Sequence, residues 1–347
     1  MRAWVLHGID DLRLETAADP VLREGEALVA VRAAGICGSD IPRVYKTGAH
    51  VHPLIVGHEF SGVVEKVASG VDPSWLGQRV GIFPLIPCRV CGPCQKKQYE
   101  MCRDYSYLGS RRDGGFAEYA AVPADNMIRL PDLVTFEEAA MLEPMAVAVH
   151  AMRRIRVSAG ETVAVCGLGT IGLLLVMFLR EAGVERIFAV GNKEFQRQAV
   201  LKMGLPENAY CDVRSQEAGR WLAERTDGNG VDVFFECVGK NETLMEALEY
   251  AAPAGRVMLV GNPFTDMHLD KQVYWRILRA QLTVAGTWNS SFTHDPEDDW
   301  HYVLDRLASG RIDPAGLITH RFPLEGLERG LRIMRDKTEE YCKIMVV

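Results

Sequence analysis

The chain has 347 residues, of which 48% are hydrophobic and 24% charged, and its formal net charge is −7. A single core usually stops growing below this length, so two domains are expected rather than one small module. The acidic balance argues against a nucleic-acid partner, because binding to phosphate backbones requires a basic face.

The N-terminal segment MRAWVLHGIDDLRLE has acidic residues by position 10 and lacks the apolar core and cleavage site of a signal peptide. We therefore expect a cytoplasmic protein whose cysteines stay reduced. The uncharged run 162–179 has the length of a membrane span. It also holds the glycines of a nucleotide-binding motif, so no membrane partner is expected.

Four potential metal ligands are dispersed along the first part of the chain: Cys37, His58, Glu59 and Glu143. A mixed set of thiolate, imidazole and carboxylate suits zinc, and a catalytic zinc keeps one position for water or substrate. A lone histidine is more often an ordinary core residue, but the flanking GHE and the CGSD segment favour a ligand at His58. Glu143 is favoured as a ligand, with a place next to the metal as the alternative.

The segment CRVCGPCQKKQYEMC, 88–102, contains Cys88, Cys91, Cys94 and Cys102 in the spacing C-x2-C-x2-C-x7-C. Four thiolates from one loop can close a tetrahedron around zinc with no position left for water, which predicts a structural site. Iron–sulfur clusters use similar runs, but with other spacings and a proline after the last cysteine. Unliganded cysteines are the remaining alternative.

The segment ETVAVCGLGTIGLLLVMFLREAG predicts a strand, a glycine-rich turn and a helix. Its turn is Gly167, Leu168, Gly169, Thr170, Ile171 and Gly172. In a G-x-G-x-x-G turn the first glycine permits the tight bend, the second lets the backbone approach a pyrophosphate, and the third lets the helix lie close to the sheet. The N–H groups at the start of the helix then face the phosphates.

The second predicted strand, RIFAV, is followed by Gly191, Asn192 and Lys193, with no acidic residue at its tip. An acidic residue there would hydrogen-bond the ribose of NAD, whereas a small residue and a lysine accommodate the 2′-phosphate of NADP. We therefore favour NADP within an NAD(P) site. Glu194 leaves NAD as the alternative.

Further strands are predicted at 231–239, 255–261 and 282–288, alternating with helical patterns. This alternation predicts an α/β fold with a doubly wound parallel sheet. The second domain is then 150–288, and 1–149 with 289–347 forms a β-rich catalytic domain.

Several motifs together resemble the zinc-dependent medium-chain alcohol and polyol dehydrogenases, in particular the sorbitol dehydrogenase-like branch. They are GICGSD at 35–40, GHEFSGVV at 57–64, the four-cysteine loop, DGGFAEY at 113–119, LEP at 142–144 and VCGLGTIG at 165–172. The resemblance covers essentially the whole chain. It implies a GroES-like catalytic domain, a Rossmann domain, two zinc ions per chain, and hydride transfer between a polyol or polyol phosphate and NAD(P). It also implies a homodimer or homotetramer that assembles near TVAGTW.

The resemblance assigns roles to individual residues. Cys37 and His58 are zinc ligands, and Glu59 and Glu143 are carboxylates that bind or approach the metal. Asp40 accepts the second ring N–H of His58, and Ser39 takes the alcohol proton, although it is also an ordinary turn residue. Many relatives pass the proton on through a histidine where this chain has Pro42.

A phosphorylated substrate needs cations near the zinc, for which the candidates are Arg43, Lys46, Arg111 and Arg112. Weaker candidates for the substrate pocket are His50, Trp288 and Asn289. A free polyol needs no basic pocket. The two remaining alternatives are a zinc-free reductase, which the presence of all four dispersed ligands opposes, and a non-enzymatic protein that binds NADPH and zinc.

Overall fold

The computed structural model describes all 347 residues, and they divide into two compact units. The first unit is Met1–Glu143 with Ser291–Val347, and the second is Pro144–Ser290. The sequence places the corresponding boundaries at 149 and 289. None of the helices has both the length and the hydrophobicity that a membrane span requires, and the helix that begins in the uncharged run has only 12 residues.

The first unit consists mainly of short strands. Before the second unit these are β1 (Arg2–Gly8), β2 (Asp11–Thr16), β3 (Glu26–Ile36), β4 (Leu54–Ile55), β5 (Glu59–Val67), β6 (Arg79–Ile82), β7 (Leu85–Ile86), β8 (Ser106–Tyr107), β9 (Tyr119–Pro123) and β10 (Met127–Arg129). The helices in this part are α1 (Asp40–Pro42), which continues as a π-helix over Arg43–Thr47, α2 (Gly92–Gln95) and α3 (Phe136–Ala140). The next helix, α4 (Leu142–Arg154), begins at the end of this part and lies mainly in the second unit.

Strands and helices alternate in the second unit. They are β11 (Thr162–Cys166), α5 (Thr170–Glu181), β12 (Arg186–Gly191), α6 (Glu194–Lys202), β13 (Tyr210–Asp212), α7 (Ala218–Arg225), β14 (Val231–Glu236), α8 (Asn241–Tyr250), β15 (Ala251–Leu259), α9 (Lys271–Arg279) and β16 (Thr283–Gly286). The chain then returns to the first unit with α10 (Asp299–Ala308), β17 (Ile318–Phe322), α11 (Leu327–Asp336) and β18 (Lys343–Val346).

The largest sheet of the first unit has seven strands. Six follow the order β10-β6-β5-β3-β18-β17, and β9 also pairs with β3. The central strand β3 runs antiparallel to both β5 and β18. The end of β3 and the beginnings of β5 and β18 therefore meet at one edge of the sheet, where three distant parts of the chain come together.

The sheet of the second unit is parallel throughout, with the order β13-β12-β11-β14-β15-β16. All five residues of β11 are buried, as expected for a strand covered on both faces. The strand order reverses between β11 and β14, and ligands of such sheets bind outside the carboxyl ends of the strands at this reversal. The predicted doubly wound sheet is confirmed.

Candidate active site

The first cluster joins three of the four dispersed candidate ligands. Cys37 follows β3, and His58 and Glu59 lie where β5 begins. Because β3 and β5 pair with Gly35 opposite Glu59, one ligand atom from each of the three residues lies within 4.8 Å of the others. Thiolate, imidazole and carboxylate donors at this separation fit a zinc ion.

The state of His58 also fits a cation site. The ring is 4% exposed, and its Nδ1 atom has no hydrogen-bond partner. Burial acts to lower the pKa of His58, but Asp40 and Cys37 outweigh it and hold this pKa well above its ordinary value. The metal-free ring therefore retains a proton, which a metal ion must displace, since only neutral imidazole is a ligand.

Asp40 is fully buried behind His58. Its Oδ1 atom lies 3.6 Å from Nδ1 of His58, in ion-pair range but beyond a hydrogen bond. Oδ1 accepts from the Arg43 guanidinium, and Oδ2 accepts from the Cys37 backbone N–H at 2.9 Å. Burial raises the pKa of Asp40, but His58 and Arg43 outweigh it and lower this pKa. Asp40 therefore interacts with His58 as an ion pair, and the oxygen of Asp40 that faces the ring accepts its hydrogen bond from Arg43.

Ser39 and Pro42 lie at the two ends of the short segment that follows Cys37. Ser39 immediately precedes α1 and is half-buried, and its hydroxyl does not cap that helix. Pro42 is the last residue of α1. Within this segment only Ser39 has a hydroxyl to exchange a proton.

Glu143 lies outside the set of three mutually close ligands. Its Oε1 accepts from the hydroxyl of Tyr107 at 3.1 Å. Burial raises the pKa of Glu143 to about 6, and His58 opposes this rise. The ring of Tyr107 meets the ring of His58 edge to face at a centroid distance of 5.7 Å. Tyr107 was not predicted, because nothing in its local sequence marks it.

Lys343 was also not predicted, although it is the most deeply placed cation of the site. It opens β18, is 2% exposed, and donates to the Glu59 carboxylate and to the Ile36 carbonyl at 3.2 Å. Burial acts to lower the pKa of Lys343, but Glu59 and Cys37 outweigh it and raise this pKa. A lysine inside the apolar run CKIMVV was the available signal.

The second cluster is the four-cysteine loop, and all nine cysteines of the chain are free thiols. The four sulfur atoms lie within 4.8 Å of one another, with 3.9 Å between Cys88 and Cys94 and between Cys91 and Cys102. Tetrahedral zinc with bonds of about 2.3 Å places its sulfur ligands about 3.8 Å apart. Backbone N–H groups lower the pKa of Cys91 to about 6, which favours a thiolate. The loop therefore fits a closed zinc site.

The glycine-rich turn connects β11 to α5. Gly167 has φ of +93°, which favours glycine, and a Cβ atom on Gly172 would lie 2.0 Å from the Gly167 carbonyl oxygen. A Cβ atom on Gly169 would have no neighbour within 4 Å. Thr170 and Ile171 open the helix. The geometry thus leaves room above Gly169, where a pyrophosphate would lie.

At the end of β12, the side chain of Gln196 organises the backbone. Its Oε1 accepts from the N–H groups of Asn192 at 2.9 Å and Lys193 at 3.1 Å. It also lies 2.6 Å from where a Cβ atom on Gly191 would be. The carboxylate of Glu194 accepts from Arg197 at 2.9 Å and from Gln198 at 2.7 Å.

A further cation lies beside this strand end. Asp212 ends β13 opposite Gly191, and Arg214 donates to its carboxylate through Nε, Nη2 and the backbone N–H. These contacts lower the pKa of Asp212 to about 2. Arg214 was not predicted, because its place beside Gly191 follows from strand order rather than from a motif.

The predicted phosphate-binding cations differ in their surroundings. Arg43 is bound to Asp40, and Arg112 is bound to the buried carboxylate of Glu26. Lys46 is exposed on the π-helix. Arg111 is exposed and stacks over the ring of Tyr105 at 4.8 Å. It has no carboxylate partner.

Burial lowers the pKa of His50, and the positive charges of Arg111 and Arg43 lower it further. In the second unit, Trp288 is 54% exposed, and the Nδ2 atom of Asn289 is buried without a partner. The charges of Arg111 and Arg43 therefore both act on His50.

Comparison with known protein families covers both units. Residues 23–132 match the alcohol dehydrogenase GroES-like domain, and residues 170–309 match the zinc-binding dehydrogenase family. The predicted GroES-like and Rossmann domains are thereby confirmed as a medium-chain dehydrogenase fold.

Individual proteins extend the similarity over the full length. Sorbitol dehydrogenase of Bacillus subtilis (strain 168) is 30% identical over 353 residues, which covers 100% of this chain and 97% of that protein. The crystal structure of galactitol-1-phosphate dehydrogenase from Escherichia coli has a TM-score of 0.92 and 31% identity, covering 100% of both chains. A zinc-binding dehydrogenase from Sinorhizobium meliloti 1021 bound to NADP has a TM-score of 0.91 and 27% identity, covering 100% of this chain and 98% of that one.

Proposed function

The chain belongs to the zinc-dependent medium-chain alcohol and polyol dehydrogenases, and we propose that it transfers hydride between a secondary alcohol of a polyol phosphate and NADP. The observation that carries this proposal is the convergence of Cys37, His58 and Glu59. Galactitol 1-phosphate represents the proposed substrate class, since one similar structure is galactitol-1-phosphate dehydrogenase. The second candidate is an unphosphorylated polyol or simple secondary alcohol, which the similarity to sorbitol dehydrogenase favours.

Two zinc ions per chain are proposed, one structural in the four-cysteine loop and one catalytic. Cys37 and His58 would hold the catalytic ion, and Glu59 and Glu143 would supply the carboxylates that bind or approach it. Zinc supplies Lewis acidity, which makes an alcohol hydroxyl easier to deprotonate near neutral pH. The nicotinamide supplies the hydride acceptor.

The chain's own residues orient these groups and move the proton. Asp40 keeps its carboxylate in a fixed position facing His58, because its two oxygens accept hydrogen bonds from Arg43 and from the Cys37 N–H. Ser39 accepts the alcohol proton and passes its own to water, to a substrate hydroxyl or to Glu143, since Pro42 cannot relay it. Tyr107, which donates to Glu143, keeps that carboxylate in place.

NADP is proposed as the preferred cofactor. Gly191 leaves the strand tip without a carboxylate, and Glu194, which would have to turn inward to hold the ribose of NAD, is engaged by Arg197 and Gln198. Lys193 supplies positive charge after the same strand end, and Arg214 lies beside it, paired with Asp212. A 2′-phosphate is stabilised by such charge, whereas it would be repelled by an acidic residue.

The phosphate of the substrate is assigned to Arg111. Its guanidinium is exposed, stacks on Tyr105 and lacks an ion-pair partner, so its charge is available. Arg43 and Arg112 already neutralise buried carboxylates. An arginine suits this role because its planar donors match a phosphate in a bidentate manner.

A homodimer or homotetramer is proposed to form along β16. This strand is the last of its sheet, and α9 beside it in sequence has no buried residue. Tyr274, Trp275 and Leu278 expose about half of their surface, at 54%, 46% and 50%. A second copy that pairs along β16 would cover both features. A reducing compartment such as the cytoplasm suits the nine free thiols.

The experiment that tests this proposal compares free hexitols with their 1-phosphates, using NAD and NADP in parallel. We expect kcat/KM to be highest for a 1-phosphate with NADP. Arg111→Gln should raise KM for the phosphate about tenfold and leave KM for the free hexitol unchanged. Arg129→Gln is the matched control, since Arg129 also stacks on an exposed face, over Trp75. Preference for free hexitols would favour the second candidate.

Arg214→Gln tests the cofactor assignment. We expect KM for NADP to rise about tenfold or more, with KM for NAD unchanged, because only NADP carries the 2′-phosphate on its ribose. Arg220→Gln removes an exposed arginine of α7 that is paired with Glu224 and serves as the control. Binding of NADPH and zinc without turnover of any substrate would indicate the non-enzymatic alternative.

A further inference from the structure

Lys343 is an unusual cation, because a lysine is rarely buried without a dedicated partner. Its side chain is 3% exposed and that of Glu59 is 1% exposed. The ammonium donates to Oε2 of Glu59 and, at 3.2 Å, to the carbonyl of Ile36. These two residues belong to β5 and β3, so β18 brings the charge to the edge where the three strands meet.

The backbone makes room for the Glu59 carboxylate at this place. A Cβ atom on Gly35 would lie 2.3 Å from Oε2 of Glu59, so any other residue at 35 would displace the carboxylate. Gly35 pairs with Glu59 on one side and with Met345 of β18 on the other. The position of Glu59 is therefore determined by a glycine below it and a lysine beside it.

The charges around the cluster balance only when these pairs are counted. The acidic groups are Cys37, Asp40, Glu59 and Glu143, and the basic side chains near them are Arg43 and Lys343. Arg43 neutralises Asp40, and Lys343 neutralises Glu59. Once a metal ion has displaced the proton of His58, the Cys37 thiolate and Glu143 carry the two remaining negative charges, and a divalent ion balances them.

We propose that Lys343 is a positioning residue that holds Glu59 as a weak, displaceable neighbour of the metal, so that one coordination position stays exchangeable. This inference rests on the proposed function. A carboxylate that shares its charge with an ammonium is a poorer donor than a free one. Without Lys343, Glu59 would become a permanent ligand and close the position that substrate must occupy.

The test uses the full-length protein with cobalt(II) in place of zinc, because the visible absorption of cobalt reports its ligands. The difference spectrum against Cys37→Ala removes the contribution of the four-cysteine loop. We expect Lys343→Met to retain two metal ions per chain, to shift this difference spectrum, and to lower kcat about 10- to 100-fold with a smaller change in KM. An unchanged spectrum with unchanged kcat would overturn the proposal.

A second pair of variants separates coordination from packing. The double variant Lys343→Met, Glu59→Gln leaves no buried charge unpaired, and its amide is a poor zinc ligand. Its cobalt spectrum and its kcat should therefore return toward those of Glu59→Gln alone. Lys343→Arg keeps the charge and should lie between the native protein and Lys343→Met. A double variant as impaired as Lys343→Met would show that Lys343 serves only packing, and the inference would be wrong.

The outcome for the native protein distinguishes this inference from the proposed function. If the native protein and Cys37→Ala give the same cobalt spectrum, no metal binds at Cys37 and the proposed function fails. If they differ but Lys343→Met matches the native protein, only the role of Lys343 fails.

Discussion

The chain contains two ligand clusters that are built in opposite ways. The four cysteines of the loop lie within fifteen consecutive positions, and two of them are only half-buried. Cys37, His58 and Glu59 lie where β3 ends and β5 begins, and they are surrounded by the buried Asp40 and Lys343 and the half-buried Arg43. Four identical donors from one segment satisfy a metal completely, whereas an uneven and crowded donor set leaves it reactive. Under the proposed function, this difference in surroundings separates a structural metal site from a catalytic one.

The largest expected effect follows from Cys37→Ala. The variant should lose one of two zinc ions and at least about 10³-fold in kcat/KM, because the Lewis acid is lost. The loop should stay filled, which metal analysis by mass spectrometry checks. Cys211→Ala, at a buried cysteine outside both clusters, is the control and should keep both ions. Normal polyol oxidation by Cys37→Ala would refute the site assignment.

Cys91→Ser should produce the complementary result. Loss of the loop zinc should lower the free energy of unfolding by several kcal/mol, since metal binding replaces a core in this segment. Thermal unfolding with zinc analysis measures the effect. Activity per folded chain should be retained. If the folded variant loses turnover as completely as Cys37→Ala does, the two clusters do not differ in the manner proposed.

Asp40→Asn tests how much the surroundings matter. The amide cannot balance Arg43 or face His58 with a negative charge, so zinc affinity at this cluster should fall about 10- to 100-fold. Competition with a chelator measures the affinity, and the ion of the loop should be released at the native concentration. An equal weakening of both ions would point to general destabilisation instead.

The smallest effect is expected at the rim of the loop. Lys97 pairs with Asp295 at 3.2 Å, and both side chains are more than half exposed, at 58% and 56%. Exposed pairs contribute at most about 1 kcal/mol. Lys97→Gln should therefore leave zinc content unchanged and shift the unfolding temperature only slightly. A loss of loop zinc in this variant would mean that the loop does not hold its metal by itself.

Local spacing explains what the sequence could predict. The four cysteines and the turn from Gly167 to Gly172 lie close together in the chain, so their arrangement follows from short-range geometry. The strand predicted at 255–261 is β15, Ala251–Leu259, because a strand end depends on pairing with its neighbour as well as on composition.

Long-range pairing explains what could not be predicted. Lys343 reaches Glu59 across 284 positions, and only the insertion of β18 beside β3 reveals that contact. Glu194 was an alternative ribose ligand by its position after β12. In the structure, its carboxylate accepts a hydrogen bond from Arg197 instead. This contact depends on the direction of the two side chains on α6, which sequence position alone does not give.

The place of β18 in the central sheet has a consequence for biosynthesis. As the chain leaves the ribosome, the four thiols emerge together and can capture an ion while most of the protein is still unmade. The pocket around Cys37 lacks its buried ammonium until residues 343–346 have been translated and paired. If both clusters bind zinc as proposed, the loop can be loaded first, and the cluster at Cys37 is the one completed last.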